Sequence, residues 1–167
     1  MAAGNWRRSG GENIARIRRE LEALDKIKVR VGWMESARYN DGKPVAGIAV
    51  VQEFGSEKMS IPPRSFMRST QAEKKGDWDK TMKSGFSAVM NGTRTSAQLM
   101  EAMGAMASGD VRKKITQIFT PPLATSTLKA RARRASGSAG LVSVKPLNDS
   151  GYMLATLTHV VTTEGDE

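Results

Sequence analysis

The sequence predicts an α+β fold: a small mixed sheet packed by helices, with a long extended arm before the last strand. Three observations predict it. Two segments near opposite ends of the chain, 27–34 and 152–162, alternate apolar and polar residues as half-buried strands do. The interval between them is dominated by helix-period stretches, and residues 121–150 show no period at all. At 167 residues, the chain suits one modest core, here an N-terminal helix (1–26) followed by a domain (27–167) that includes the arm.

The elements follow in order. Ile14, Ile17, Leu21 and Leu24 recur at helical spacing over 12–25, with Arg16, Arg18, Arg19, Glu20 and Glu22 around them. The stripe is narrow and its surroundings are mixed in sign, so the helix is expected to dock on its own core or on a neighbouring subunit. In 27–34, Ile27, Val29, Val31 and Trp33 share one strand face. A turn around Asn40-Asp41-Gly42 leads to Pro44, which suits a helix start. Helix 44–54 is short and apolar nearly all round, which predicts burial, and Gly55 is placed to end it in a left-handed conformation.

Pro62 and Pro63 hold the next link extended. Residues 66–90 are helical in pattern but interrupted by Gly76 and Gly85. Thr95 to Phe119 is a clearer helix, with Thr93, Thr95 or Ser96 to cap it and Gly109 between two apolar phases. Pro121 and Pro122 stop it.

Composition narrows the function. Aromatics are only 5% and methionines number 10, a core that packs adaptably and gains from neighbouring subunits. There is no cysteine, hence no disulfide or thiolate chemistry. The lone histidine, His159, falls within strand alternation, where packing is the ordinary role, and one histidine without cysteine does not make a zinc site. Phosphate-loop, dinucleotide and nucleophile-elbow motifs are missing from the sequence, so no cofactor and no catalysed reaction are expected. No apolar run is long enough for a membrane span and no leader follows Arg7 and Arg8, which predicts a protein made in its host's cytoplasm. Glu53 ends an apolar helix and must be paired if buried. Arg64, just past the prolines, is the expected partner, in a structural ion pair.

The net charge is +9, which favours polyanionic or acidic partners. Residues 121–147 carry Lys129, Arg131, Arg133, Arg134 and Lys145 and no acid, whereas 148–167 carry Asp149, Glu164, Asp166 and Glu167 and no Lys or Arg. A basic arm before an acidic tail suits head-to-tail contacts between copies; solvated loops are the plainer alternative. The arm could also grip phosphates without reading sequence, but it has no aromatic to stack on a base.

The order of short motifs carries a resemblance. Val31-Gly32-Trp33 precedes Tyr39-Asn40-Asp41-Gly42 and Val45-Ala46-Gly47-Ile48-Ala49. Glu53-Phe54-Gly55 and Ile61-Pro62-Pro63-Arg64-Ser65-Phe66 follow, then Pro121-Pro122-Leu123 with Ser126-Thr127-Leu128, and finally Lys145-Pro146-Leu147-Asn148-Asp149-Ser150-Gly151. Over roughly 27–161 this succession resembles the neck and tail-completion proteins of long-tailed phages, the minor tail protein Z-like group of head–tail joining proteins. Ser65 stands where a proline is common there, and Asn148 and Ser150 replace an aliphatic residue and a threonine. The resemblance implies a virion protein that forms a ring, sixfold in that family, around the channel through which DNA passes. It would complete the tail, with a tail terminator or tail tube protein on one side and a head-side connector or stopper on the other. It further implies that Gly55 and the Pro62-Pro63-Arg64 link set a fixed loop, that Phe66 and Met67 anchor the next helix, and that Pro146, Leu147, Asp149 and Gly151 turn the chain into the last strand; arm 121–150 is then the expected contact with neighbouring subunits or the tail tube. The competing expectation is a DNA-binding or packaging accessory protein without sequence preference.

Overall fold

The computed structural model describes residues 6–135 and 142–164, with side chains from Gly11 onward. Its elements are α1 (Trp6–Lys26), β1 (Ile27–Trp33), α2 (Val45–Phe54), α3 (Met67–Met90), α4 (Ser96–Gln117), α5 (Thr125–Ala135), α6 (Tyr152–Thr156) and β2 (Leu157–Thr163). The fold is α+β, and its small sheet is the single antiparallel pair β1–β2. The two strand segments from opposite ends of the chain therefore do meet. The backbone N–H of Glu164 donates to Lys26 O (3.0 Å) at one end of the pairing.

The chain forms two compact units, and neither is the N-terminal helix alone. The first comprises Met1–Arg30, Gly76–Met106 and His159–Glu167; the second comprises Val31–Lys75 and Ala107–Thr158. Within the first unit, α1 is tied to the ends of two other helices. The Arg16 guanidinium donates to Val89 O (2.9 Å) and Met90 O (2.6 Å), placing a cation on the carbonyl end of α3. Glu20 accepts the Ser96 N–H (2.6 Å), placing an anion on the amide end of α4, and Ser96 Oγ donates to Glu20 O (2.7 Å). These bonds hold the Glu20 carboxyl below its ordinary range, the Ser96 backbone N–H foremost.

Thr95 caps α4 in a reciprocal box. The Gln98 N–H donates to Thr95 Oγ1 (3.2 Å), and the Thr95 N–H donates to Gln98 Oε1 (3.0 Å). The glycines that interrupt the pattern of α3 do not interrupt the helix. Gly85 gives Leu99 room, since a Cβ there would lie 2.2 Å from Leu99 Cδ1. Gly104 likewise lets α4 run close to the strands, because its Cβ would meet the His159 ring at 2.4 Å. His159 is packed there, with Nε2 2.7 Å from Glu101 Oε1, the ordinary role expected of it.

The core of the second unit is Val45, Ala49, Phe66, Val111, Ile115, Leu147, Met153 and Leu157. Trp33 packs edge-on against Phe66 (centroids 5.9 Å apart) and donates its indole N–H to Met153 O (2.8 Å).

Two expectations about the C-terminal third are corrected. The arm 121–150 is not extended throughout, because α5 occupies Thr125–Ala135. The last strand starts at Leu157 rather than residue 152, since Tyr152–Thr156 forms the turn of helix α6. Met153 and Leu157 are buried while Ala155 between them is exposed, whereas a strand would place all three on one face.

Candidate functional site

Three buried charged side chains organise the loops of the second unit: Glu53 at 4% exposure, Arg64 at 5% and Arg131 at 7%. The expected Glu53–Arg64 ion pair does not form. Glu53 instead sits on the N-terminus of α3. Its carboxylate accepts the backbone N–H groups of Phe66 (2.6 Å), Met67 (2.9 Å) and Arg68 (3.2 Å), the Ser65 hydroxyl (2.7 Å) and Arg68 Nε (3.0 Å). A helix start offers several amides without internal partners, so it satisfies a buried carboxylate more fully than one guanidinium could. Burial pushes the Glu53 pKa up, but the bonds from Ser65, Met67, Arg68 and Phe66 outweigh it and hold the pKa at about 2.

Arg64 turns to carbonyls. Nε donates to Pro121 O (2.8 Å), Nη2 to Pro122 O (2.9 Å) and Nη1 to Gln52 Oε1 (3.0 Å). One proline-rich link is thereby fastened to the other. Burial, and secondarily Arg131, pushes the Arg64 pKa down from the ordinary arginine value. Prolines cannot donate, but their carbonyls are free acceptors for a rigid fork of N–H groups.

Gly55 ends α2, but not in the left-handed conformation expected of it. It sits at φ 78, ψ 177, a region even more restricted to glycine than the left-handed one. A Cβ there would lie 2.8 Å from both Ile61 O and Pro63 N. Ser56 and Ile61 exchange backbone hydrogen bonds (2.8 and 2.9 Å) that close the loop, and Pro62 and Pro63 carry the chain on to Arg64.

The basic residues assigned to an interaction arm divide in the structure. Arg131 is not available for contacts, because it holds the returning chain. Nη1 donates to Ser143 O (2.7 Å), Lys145 O (2.9 Å) and Asn148 O (3.3 Å), and Nη2 to Pro146 O (3.3 Å). Its Nε lies 3.3 Å from Asp149 Oδ1 without forming a hydrogen bond. Burial foremost pushes its pKa down from the ordinary arginine value. Lys145 is drawn to Thr116 O (3.4 Å) and over the Phe119 ring (5.3 Å). Lys129, Arg133 and Arg134 are exposed on α5, with Arg134 Nη2 2.7 Å from Asp149 Oδ2. Pro146 is buried, and Gly151 turns at φ 77 into α6.

A cleft of about 770 Å³ opens beside this return, lined among others by Tyr39, Lys43, Arg131, Arg134, Asp149 and Tyr152. The Tyr39 and Tyr152 rings lie 5.5 Å apart. Burial first, then Asp149, raises the Tyr39 phenol pKa.

Sequence reasoning missed the outer face of α2. That helix buries only Val45, Ala49 and Glu53, and leaves Val50 at 56% and Phe54 at 60% exposure. Arg68 lies 4.5 Å over the Phe54 ring, and Met59 in the following loop is also exposed. A helix apolar on both sides carries this signal in its sequence, since one side alone faces the core.

Among the described residues no group of three or more His, Asp or Glu could hold a metal ion, and no helix is long and apolar enough to cross a membrane. No family model, curated protein or solved structure matches this sequence.

Proposed function

We propose that this chain is a structural protein of the neck or tail top of a long-tailed phage, which assembles into a ring, hexameric as in the family it resembles. The ring completes the tail and supports its joining to the head. The observation that carries this reading is the outer face of α2. Val50 and Phe54, four residues apart on one helix, stay exposed in an otherwise apolar element. A helix apolar on both sides is stable in water when both sides are covered, so the outer side calls for a protein neighbour. The buried charges support the same reading, because Glu53 caps the start of α3 and Arg64 and Arg131 mainly bind loop carbonyls, all structural tasks.

The neighbours on this reading are further copies, a tail terminator or tail tube protein, and a connector or stopper on the head side. Negative-stain imaging of particles made without the protein tests it. Filled heads beside unattached tails support the reading, and normal infectious particles refute it. In the purified protein, Val50→Asp with Phe54→Asp is expected to keep the melting temperature within a few degrees while abolishing self-association measured by sedimentation.

The +9 charge favours a second reading, a DNA-binding or packaging accessory protein. It predicts retention of duplex DNA at low salt that falls steeply as salt rises. Burial of Arg64 and Arg131 reduces the basic surface that such a role could use.

A further inference from the structure

We infer that the cleft bordered by Tyr39, Lys43, Arg131, Arg134, Asp149 and Tyr152 receives the acidic segment 164–167 of a second copy of this chain. The inference rests on the oligomeric part of the function proposed above and names the contact between copies.

Charge is the first argument. The cleft is lined by three cations, Lys43, Arg131 and Arg134, against two carboxylates, Asp41 and Asp149. The segment Glu164-Gly165-Asp166-Glu167 carries three acids and no cation. Residues 165–167 lie outside the described part of the chain, and the Glu164 side chain, 68% exposed, has a 3.8 Å ion pair with Lys28 to leave behind, while its backbone N–H stays on Lys26 O.

The second argument is an unsatisfied group. Arg131 Nε is, among the described residues, the one buried side-chain nitrogen or oxygen without a hydrogen bond. The Arg131 side chain is only 6% exposed, so bulk water does not serve it. Its nearest acceptor, Asp149, is shared with Arg134 at 2.7 Å. A guest carboxylate that takes over Arg134 releases Asp149 to align on Arg131 Nε. Binding then adds one charge-assisted hydrogen bond inside the host as well as those to the guest. The third argument is size: about 770 Å³ accommodates a few residues, and Tyr39 and Tyr152 offer apolar walls for their stems.

The test uses a fluorescein-labelled peptide, Thr-Thr-Glu-Gly-Asp-Glu, which copies residues 162–167. It is titrated into the full chain carrying Glu164→Gln, Asp166→Asn and Glu167→Gln, so that the host's own segment is neutral. Saturable binding is expected, weakened about tenfold or more by Arg134→Glu, and weakened again by raising the salt several-fold. The neutral peptide Thr-Thr-Gln-Gly-Asn-Gln should not bind. In the otherwise natural chain, Arg134→Glu alone and Glu167→Arg alone should each reduce self-association in sedimentation, and an equimolar mixture or the double variant should restore it. That rescue separates a broken contact from a broken fold.

No peptide binding, or binding indifferent to Arg134→Glu, overturns the inference. So does a natural chain that remains monomeric yet cannot accept the peptide, which would place its own segment in the cleft. A DNA duplex that displaces bound peptide at equal charge concentration also overturns it. Normal particles without the protein would refute the neck reading and leave the peptide result standing. A ring that forms unchanged with Arg134→Glu would do the reverse.

Discussion

Replacing Glu53 with glutamine should remove most of the pH dependence of the second unit's stability. The carboxylate is buried and accepts three backbone N–H groups, the Ser65 hydroxyl and Arg68 Nε. Its pKa is held at about 2 in the fold against 4.5 as the reference value. By linkage that difference is worth about 3 kcal/mol at neutral pH. The folded pKa is the lower one, so the contribution is complete above about pH 4.5 and is lost as the pH falls through about 2. Glutamine keeps the shape and one acceptor oxygen, but it brings an amide donor to face backbone donors. The variant should therefore be less stable by about 3 kcal/mol near pH 7, and the gap should close toward pH 2. Urea unfolding at a series of pH values measures it. Trp33 fluorescence in a background with Trp6→Phe and Trp78→Phe reports on the second unit, since Trp33 packs on Phe66 beside the Glu53 contacts. A gap that stays constant across that pH range would refute the assignment of Glu53 as the ionised cap of α3.

Two further predictions concern backbone anchoring. Arg64→Lys keeps the charge but loses the fork to Pro121 O and Pro122 O, so it should cost about 2 kcal/mol in the same urea titration despite its conservative chemistry. Gly55→Ala should cost at least about 2 kcal/mol, because φ 78 and the 2.8 Å approach to Ile61 O and Pro63 N both oppose a Cβ. Gly76→Ala, at an open position within α3, should instead raise the melting temperature slightly, by about 0.5–1 kcal/mol of stability.

What the sequence disclosed and what it hid have a common explanation. Segments held by apolar burial were legible: β1 and α4 by their periods, and α2 by its composition and bounding Pro44 and Gly55. Helix α5 was missed because it has almost no apolar stripe. Leu128 is its largest apolar residue, and the side chain that it buries is Arg131. Hydrophobic periodicity cannot register a helix anchored by an arginine among carbonyls. Helix α6 was missed because five residues are too few to separate helix from strand spacing, and Met153 and Leu157, four apart, share a face in either. Glu53 is satisfied by the amides at a helix start, which the placing of Arg64 just past the prolines does not reveal. Arg68, on the first turn of α3, was the better candidate partner.

The reliance on buried charge bears on assembly. With few aromatics, this chain has little large apolar surface to fix its loops. Glu53, Arg64 and Arg131 fix them instead, each by three or more polar contacts to other segments. Such contacts are directional, so they set the position of a loop as well as its proximity. Val50 and Phe54 protrude from a helix whose C-terminal end is clamped by Gly55, by Glu53 and by the Arg64 N–H on Gln52 O (2.7 Å). An apolar face presented from so fixed a base loses little conformational entropy when a neighbour covers it, which lowers the cost of association. If the proposed ring forms through this face, loosening the clamp with Arg64→Lys should weaken self-association measured by sedimentation even under conditions where the fold persists, although Arg64 is itself buried.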